Sequence, residues 1–293
     1  MGVNERDPYT GHATTGHEWN GIKELNTAVP KAVWLFLAGT FLFSLGYWIL
    51  MPAWPLGTTY SKGLLGDDVR QDVAAHLEAG AANRAAWTTR IDTEDMSTIL
   101  ADDELMRDVR QTGRALFGDN CAVCHGLRAT GGPGFPDLVD TAWLWGGTPE
   151  AVLETIRVGI NSEHPETRTS QMPAFGRDQM LEQPAILDAV AYVRSLSQPE
   201  VANGPQAERA KAGQQVFADN CSSCHGEDAR GNTELGAPDL TDRFWIYGGD
   251  EASVYRTVYG GREGHMPTWE KRLSETDRKI LTLYVLDLPK SAP

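Results

Sequence analysis

The longest apolar run lies near the start of the chain, where Ala32 to Met51 reads AVWLFLAGTFLFSLGYWILM, twenty residues without a charge. At roughly 1.5 Å of rise per residue such a helix covers about 30 Å, the hydrocarbon thickness of a bilayer. It lacks the polar face a helix in a soluble core usually shows, and its interruptions (Gly39, Thr40, Ser44, Gly46) are small residues that membrane helices tolerate. Trp34 near one end and Tyr47, Trp48 and Trp54 near the other stand where interfacial aromatics belong, with Pro30 before the run and Pro52 and Pro55 after it. Thirty-one mixed polar residues precede it, and Pro52-Ala53-Trp54-Pro55 is a poor cleavage site, so the pattern predicts an anchor rather than a removed signal.

Beyond the span the periodicity becomes helical. Asp67 to about Arg107 reads as a helical segment that Asp67 or Asp68 can cap. Ile186, Ala189, Val190 and Val193 recur at the spacing of one helix face, leaving Asp188 and Arg194 for the others. The rest of the chain repeats itself once. GRALFGDNCAVCHG from Gly113 returns as GQQVFADNCSSCHG from Gly213, PDLVDTAWLWGG from Pro136 as PDLTDRFWIYGG from Pro238, and Met172-Pro173 as Met266-Pro267. Two copies indicate domain duplication rather than a solenoid. The stretch Ser197 to Pro205, rich in proline, glycine and polar residues, reads as the linker between them.

The formal charge of −14 is unevenly spread: residues 1–52 hold three basic and four acidic residues, so the remainder carries −13. That excess disfavours nucleic acid as a partner and would attract a basic protein, although solubility alone accounts for it equally well.

All four cysteines fall in Cys121-Ala122-Val123-Cys124-His125 and Cys221-Ser222-Ser223-Cys224-His225. Cys-x-x-Cys alone would suit a thiol redox pair or half a zinc site. A histidine directly after the second cysteine, twice, points instead to two covalently attached c-type haems. Two thioether bonds need two thiols on one short turn, and the next side chain can then offer the iron an axial nitrogen. C-type haem is attached outside the bacterial cytoplasmic membrane, so the sequence after the span is expected to be periplasmic and the N-terminus cytoplasmic. The positions of Lys23 and Lys31 before the span, with Lys62 and Arg70 after it, orient it only weakly.

Each repeat, over Gly113–Ser197 and Gly213–Leu288, resembles a class I cytochrome c, a small helical domain around one haem. The resemblance implies that Gly113 and Phe117 pack across a C-terminal helix at Pro184–Leu196 with Tyr192, and Gly213 and Phe217 across one at Glu275–Leu288 with Tyr284. It also implies His125 and His225 as iron ligands and Met172 and Met266 as the sulfur ligands opposite them, a pairing that favours electron transfer over small-molecule chemistry. The backbone carbonyls of Pro136 and Pro238 are implied acceptors for the other ring nitrogen of each histidine; a plain turn role suits these prolines too.

Several positions stay open. His164, in the loop Asn161–Gln171 that makes the first repeat longer, and His265 can each take the place of a methionine, or be ordinary hydrogen-bonded residues. Trp143, Trp145, Trp245 and Tyr247 can shield haem edges or reach propionates, or simply fill core. Arg157 is a further propionate partner to consider, or an exposed arginine.

The N-terminal stretch Thr14 to Asn26, Pro30, and the span ending Gly46-Tyr47-Trp48 followed by Pro52-Ala53-Trp54-Pro55 resemble the dihaem subunit, subunit III, of cbb3-type cytochrome c oxidase. The chain departs from that pattern in having Lys31-Ala32-Val33-Trp34 where aromatic pairs are common, and in lacking an additional span some members have. The expectation is therefore an all-α protein with one N-terminal transmembrane helix and two tandem class I cytochrome c domains. Its parts are residues 1–31 cytoplasmic, 32–54 transmembrane, 55–107 a periplasmic helical linker, and 108–198 and 205–290 the haem domains. The resemblance implies partners too: a catalytic haem-copper subunit, a monohaem cytochrome c subunit, a donor cytochrome c and membrane lipid. Oxygen reduction is placed in another subunit, since no multi-histidine copper site lies within the membrane segment. A free-standing anchored electron shuttle and a dihaem peroxidase are the alternatives.

Overall fold

The fold, seen in a computed structural model, is described for residues 5–289. Residues 1–4 of the expected N-terminal segment and Lys290 of the second expected domain lie outside that range. The chain is mostly helical and divides into one unit up to Asn83 and another from Arg84 onward.

The first unit opens with an antiparallel hairpin, β1 (Thr14–Trp19) and β2 (Ile22–Leu25), that the all-α expectation did not include. Its turn is Asn20-Gly21 with positive φ at both residues, 50° and 87°, the geometry that suits the right-handed twist of two paired strands. Helix α1 (Lys31–Leu50) follows, every residue of it unburied by protein. It stops short of the expected boundary at 54 because Pro52 forces the preceding Met51 into extended backbone, φ −109° and ψ 160°. The chain then doubles back, and Leu64 and Leu65 donate backbone N–H groups to the free carbonyls of Ile49 and Leu50. Helix α2 (Val69–Thr93) begins after Asp68, whose side chain accepts the Arg70 N–H at 3.1 Å.

In the second unit, α3 (Met96–Leu100) and α4 (Asp103–Asn120) lead to the first repeat's haem motif. Asp102 caps α4 by accepting the N–H groups of Glu104 and Leu105, and its other oxygen meets Arg90 at 2.8 Å. After the short turn α5 (Ala122–His125) come α6 (Pro149–Val158), α7 (Gln183–Ser197) and a turn, α8 (Pro199–Ala202). The second repeat supplies α9 (Ala207–Asn220), α10 (Ser222–His225), α11 (Glu251–Gly260) and α12 (Glu275–Asp287).

The helix pairing corrects the expectation from the sequence. Gly113 and Phe117 of α4 pack against Tyr284 of α12, not Tyr192, while Gly213 and Phe217 of α9 pack against Tyr192 of α7. The cores agree. One gathers Phe175, Ile186, Val190 and Val193 of the first repeat with Phe217, Val254 and Val258 of the second. Two others join Ile91, Ile99, Leu105 and Val109 to Ile280 and Leu283, and Phe117 to Leu281 and Val285. Residues 108–198 and 205–290 are thus repeats of sequence but not closed packing units; each half of the fold borrows its last helix from the other repeat.

The reason is physical. Both repeats carry the same docking face, a glycine and a phenylalanine one turn apart meeting a tyrosine, so α7 fits α9 as well as α4. The linker from Gln198 to Gln206 is short, and consecutive helices joined by a short turn fold back on one another at little entropic cost. Exchange of a like element between copies keeps the contact of tyrosine with glycine and phenylalanine in both halves. The helices reach their partners through two crossing segments, where Ile160 pairs with Met266 and Met172 with Arg262 as antiparallel bridges.

Candidate functional site

Each Cys-x-x-Cys-His motif is a single tight turn. His125 N donates to Cys121 O at 3.0 Å and Gly126 N to Ala122 O at 2.8 Å; the second motif repeats these distances from His225 to Cys221 and from Gly226 to Ser222. The loop then turns back through Gly131 and Gly231, both at positive φ, where a Cβ would strike the backbone around Asp137 or Asp239. That close approach delivers the proline carbonyls. His125 Nδ1 stands 3.0 Å from Pro136 O, and His225 Nδ1 stands 3.0 Å from Pro238 O. A carbonyl only accepts, so each Nδ1 carries the proton and each Nε2 keeps its lone pair for a ligand.

Burial favours the same form. It pushes both histidines below their ordinary pKa, against the opposing pull of the proline carbonyl. Burial likewise raises Cys121 and Cys221 to about 11, with Cys124 and Cys224 adding to the effect. Thiols that hold their protons so firmly make poor redox nucleophiles. All four cysteines are free, the first of each pair half-buried and the second exposed. Cys121 packs among Phe117, Leu138, Trp143 and Ile156, and Cys221 among Phe217, Leu240 and Trp245. Two unpaired sulfurs, an imidazole with a free Nε2 and an apolar wall fit a covalently bound haem at each motif.

Met172 and Met266 are both half-buried. Met172 packs on the core that holds Phe217 and Cys221. The segment after Met266 is tied to α6 by Trp269 N donating to Ile156 O and by Thr268 Oγ1 donating to Arg157 O.

The open positions of the sequence find definite partners. His164 is occupied at both nitrogens, Nδ1 accepting the Glu166 N–H and Nε2 lying 2.9 Å from Glu270, while His265 Nδ1 bonds Asn161 O. Arg157 binds Glu154, Glu166 and Glu270. The contacts with Glu270 and between His265 and Asn161 join positions more than a hundred residues apart, so no local signal marks them. Trp143 and Trp245 pack within their own halves, against Gly147 and Gly249. Trp145 reaches across to Gly236, and Tyr247 to Gly134, each pressing on the other half's proline loop. Arg168 lies over the Trp145 ring at 5.0 Å and Arg262 over Tyr247 at 4.1 Å. Between the two proline loops is a cavity of 1040 Å³ whose walls include Pro136, Trp143, Pro238, Trp245 and Asp242.

Comparison with known proteins fits this arrangement. Residues 11–58 match the family model described as the N-terminal domain of cytochrome oxidase-cbb3, FixP. Residues 108–193 and 208–285 match that of cytochrome C oxidase, cbb3-type, subunit III. Among relatives, cbb3-type cytochrome c oxidase subunit FixP of Bradyrhizobium sp. strain ORS 278 is 45% identical over 97% of either chain. Subunit CcoP of Azospirillum brasilense is 39% identical over 98% of this chain and 99% of its own, and that of Cereibacter sphaeroides 42% identical over 93% of either.

Proposed function

The chain belongs to the cbb3-type cytochrome c oxidase subunit III family, and we propose from that membership how its two sites divide the work of an electron relay. It carries two covalently bound c-type haems and serves the oxidase as its membrane-anchored dihaem cytochrome. The haem at each motif supplies a one-electron ferric–ferrous couple when bound.

The residues proposed to hold these groups are Cys121 and Cys124 with His125, and Cys221 and Cys224 with His225. Met172 and Met266 supply the sulfur ligands, and Pro136 and Pro238 fix the imidazoles through their carbonyls. A capped iron leaves no site for oxygen or peroxide, so the role is transfer and the oxygen chemistry belongs to a haem-copper subunit. Electrons arrive from a donor cytochrome c, a basic surface on which would suit the acidic periplasmic part. A monohaem cytochrome c subunit is the further partner in the complex. Helix α1 anchors the chain once in the inner membrane lipid, N-terminus inside and haem domains in the periplasm.

One observation carries the relay: both histidine-supporting prolines wall the same cavity, so the two sites share one interior rather than facing opposite ways. Affinity purification from membranes tests the assignment. The preparation should contain haem c, haem b and copper together with a large membrane subunit. A lone dihaem protein would favour the anchored shuttle, and deleting residues 14–30 should then leave oxidase assembly unchanged.

A further inference from the structure

The exchange of helices has a counterpart at the irons. Resting on the reading that Met172 and Met266 are the sulfur ligands, we propose that each methionine caps the haem of the other repeat: Met172 faces His225, and Met266 faces His125.

Position in the cores is the first argument. Met172 packs on the cluster that contains Phe217 and has Cys221 and Leu240 at its edge, all from the second repeat. The corresponding cluster around Cys121 holds Phe117, Leu138 and Ile156 with Leu281 and Val285 of α12, the helix that follows Met266.

The crossing segments give the second argument. Helix α6 ends at Gly159 in the His125 half, and α11 ends before Gly261 in the His225 half. Immediately after these glycines, Ile160 N donates to Met266 O and Met266 N to Ile160 O, both at 2.9 Å. In the other half, Met172 N donates to Arg262 O at 2.8 Å and Arg262 N to Met172 O at 3.1 Å. Gly159 and Gly261 both have positive φ, 73° and 70°, and a Cβ on either would collide with the carbonyl of the incoming methionine. The bonds continue symmetrically: Phe175 N to Val258 O at 3.1 Å and Trp269 N to Ile156 O at 3.2 Å. Each Met-Pro segment is therefore laced, at the methionine itself, to the helix end of the half it enters; Arg168, four residues before Met172, still bonds Gly159 O and Ala151 O at the α6 of its own repeat.

Because haem stays covalently attached to its peptide, the assignment can be read site by site in the intact dihaem chain. Met172→Ala and Met266→Ala each uncap one iron, and brief exposure to hydrogen peroxide then destroys the uncapped haem preferentially. Peptide mass spectrometry should show loss of the Cys221–Cys224 haem peptide in Met172→Ala and of the Cys121–Cys124 haem peptide in Met266→Ala. The opposite pattern overturns the exchange while leaving both methionines as ligands. Protection of both haems in both variants overturns the ligand reading and the exchange with it.

A second measurement stands if either variant fails to accumulate. Arg110 and Asp287 form a two-bond ion pair, 2.7 and 3.0 Å, between α4 and α12. In the chain carrying Arg110→Cys and Asp287→Cys a short bis-maleimide should join the two thiols, and with Arg110→Cys and Ser195→Cys it should not. The reverse result returns α7 to α4 and overturns the proposal.

Discussion

The ring of Tyr284 lies 5.7 Å from that of Phe117, centroid to centroid, and its Cβ sits where a methyl group on Gly113 would come within 2.6 Å. Two helices from opposite ends of the duplicated region meet there more closely than any side chain larger than hydrogen permits.

Gly113→Ala should accordingly lower stability by about 1–3 kcal/mol, the usual cost of overpacking a closed contact. Gly118, on the same helix, has open space around it; Gly118→Ala should raise stability by roughly 0.5–1 kcal/mol through helix propensity. Denaturant unfolding followed by circular dichroism separates the two, and equal effects would mean the α4–α12 contact is looser than described.

Asp242 gives a pH signature. Burial raises its carboxyl pKa, with Asp239 nearby adding to the effect against the Phe244 N–H bond. A carboxyl whose folded pKa exceeds its unfolded value near 3.8 stabilises the fold most at low pH, and that contribution fades as pH rises through the folded value. Asp242→Asn should therefore be the more stable protein at neutral pH, with its advantage shrinking toward pH 4. Paired unfolding curves across that window check the sign.

Asp102 works in the opposite sense. Backbone donors from Leu105 and Glu104, together with Arg90, hold its carboxyl below the ordinary value. The stability it contributes is present above pH 4 and is lost as pH falls through the lowered value. Asp102→Asn retains a cap but loses the ion pair, so its unfolding midpoint should vary less with acid than that of the parent; Asp102→Ala should lose both.

Among the described residues the buried hydrophobic clusters begin at Ile91, and none includes a residue of the first unit. Replacement of residues 1–68 by a cleavable export signal should release a water-soluble dihaem protein with unchanged haem spectra. Fractionation of cell extracts and reduced-minus-oxidised spectra give the readout; altered spectra would show that the anchor shapes the haem sites.

Much of this was legible in the chain because its signals are local. Cys-x-x-Cys-His, an uncharged run of membrane length and the proline loop after each motif need only neighbours to be read. The Asn20-Gly21 turn is equally local, but the strands it joins are short and exposed, so no alternation of apolar and polar positions marks them. The helix pairing was different in kind. Tyr192 and Tyr284 present the same surface, as do Phe117 and Phe217, so hydrophobic pattern cannot say which meets which. The answer lies in the short linker that turns α7 back on α9 and in the crossing segments, where backbone bonds from Ile160 and Arg262 accompany the exchange. The His164–Glu270 contact was hidden for the same reason, since its partners are more than a hundred residues apart.

With the haem domains exported as proposed, the pairing of α4 with α12 also sets an order of events during secretion. His125 emerges from the membrane first, yet the helix that closes over its half comes last, with about 150 residues between them still to be translated. At roughly 5–20 residues per second the first half stands open for on the order of ten seconds, while the second needs only α7, already waiting, to fold. The attachment machinery is thus given a long interval at the first motif and a short one at the second, and the half begun first is the last to be finished.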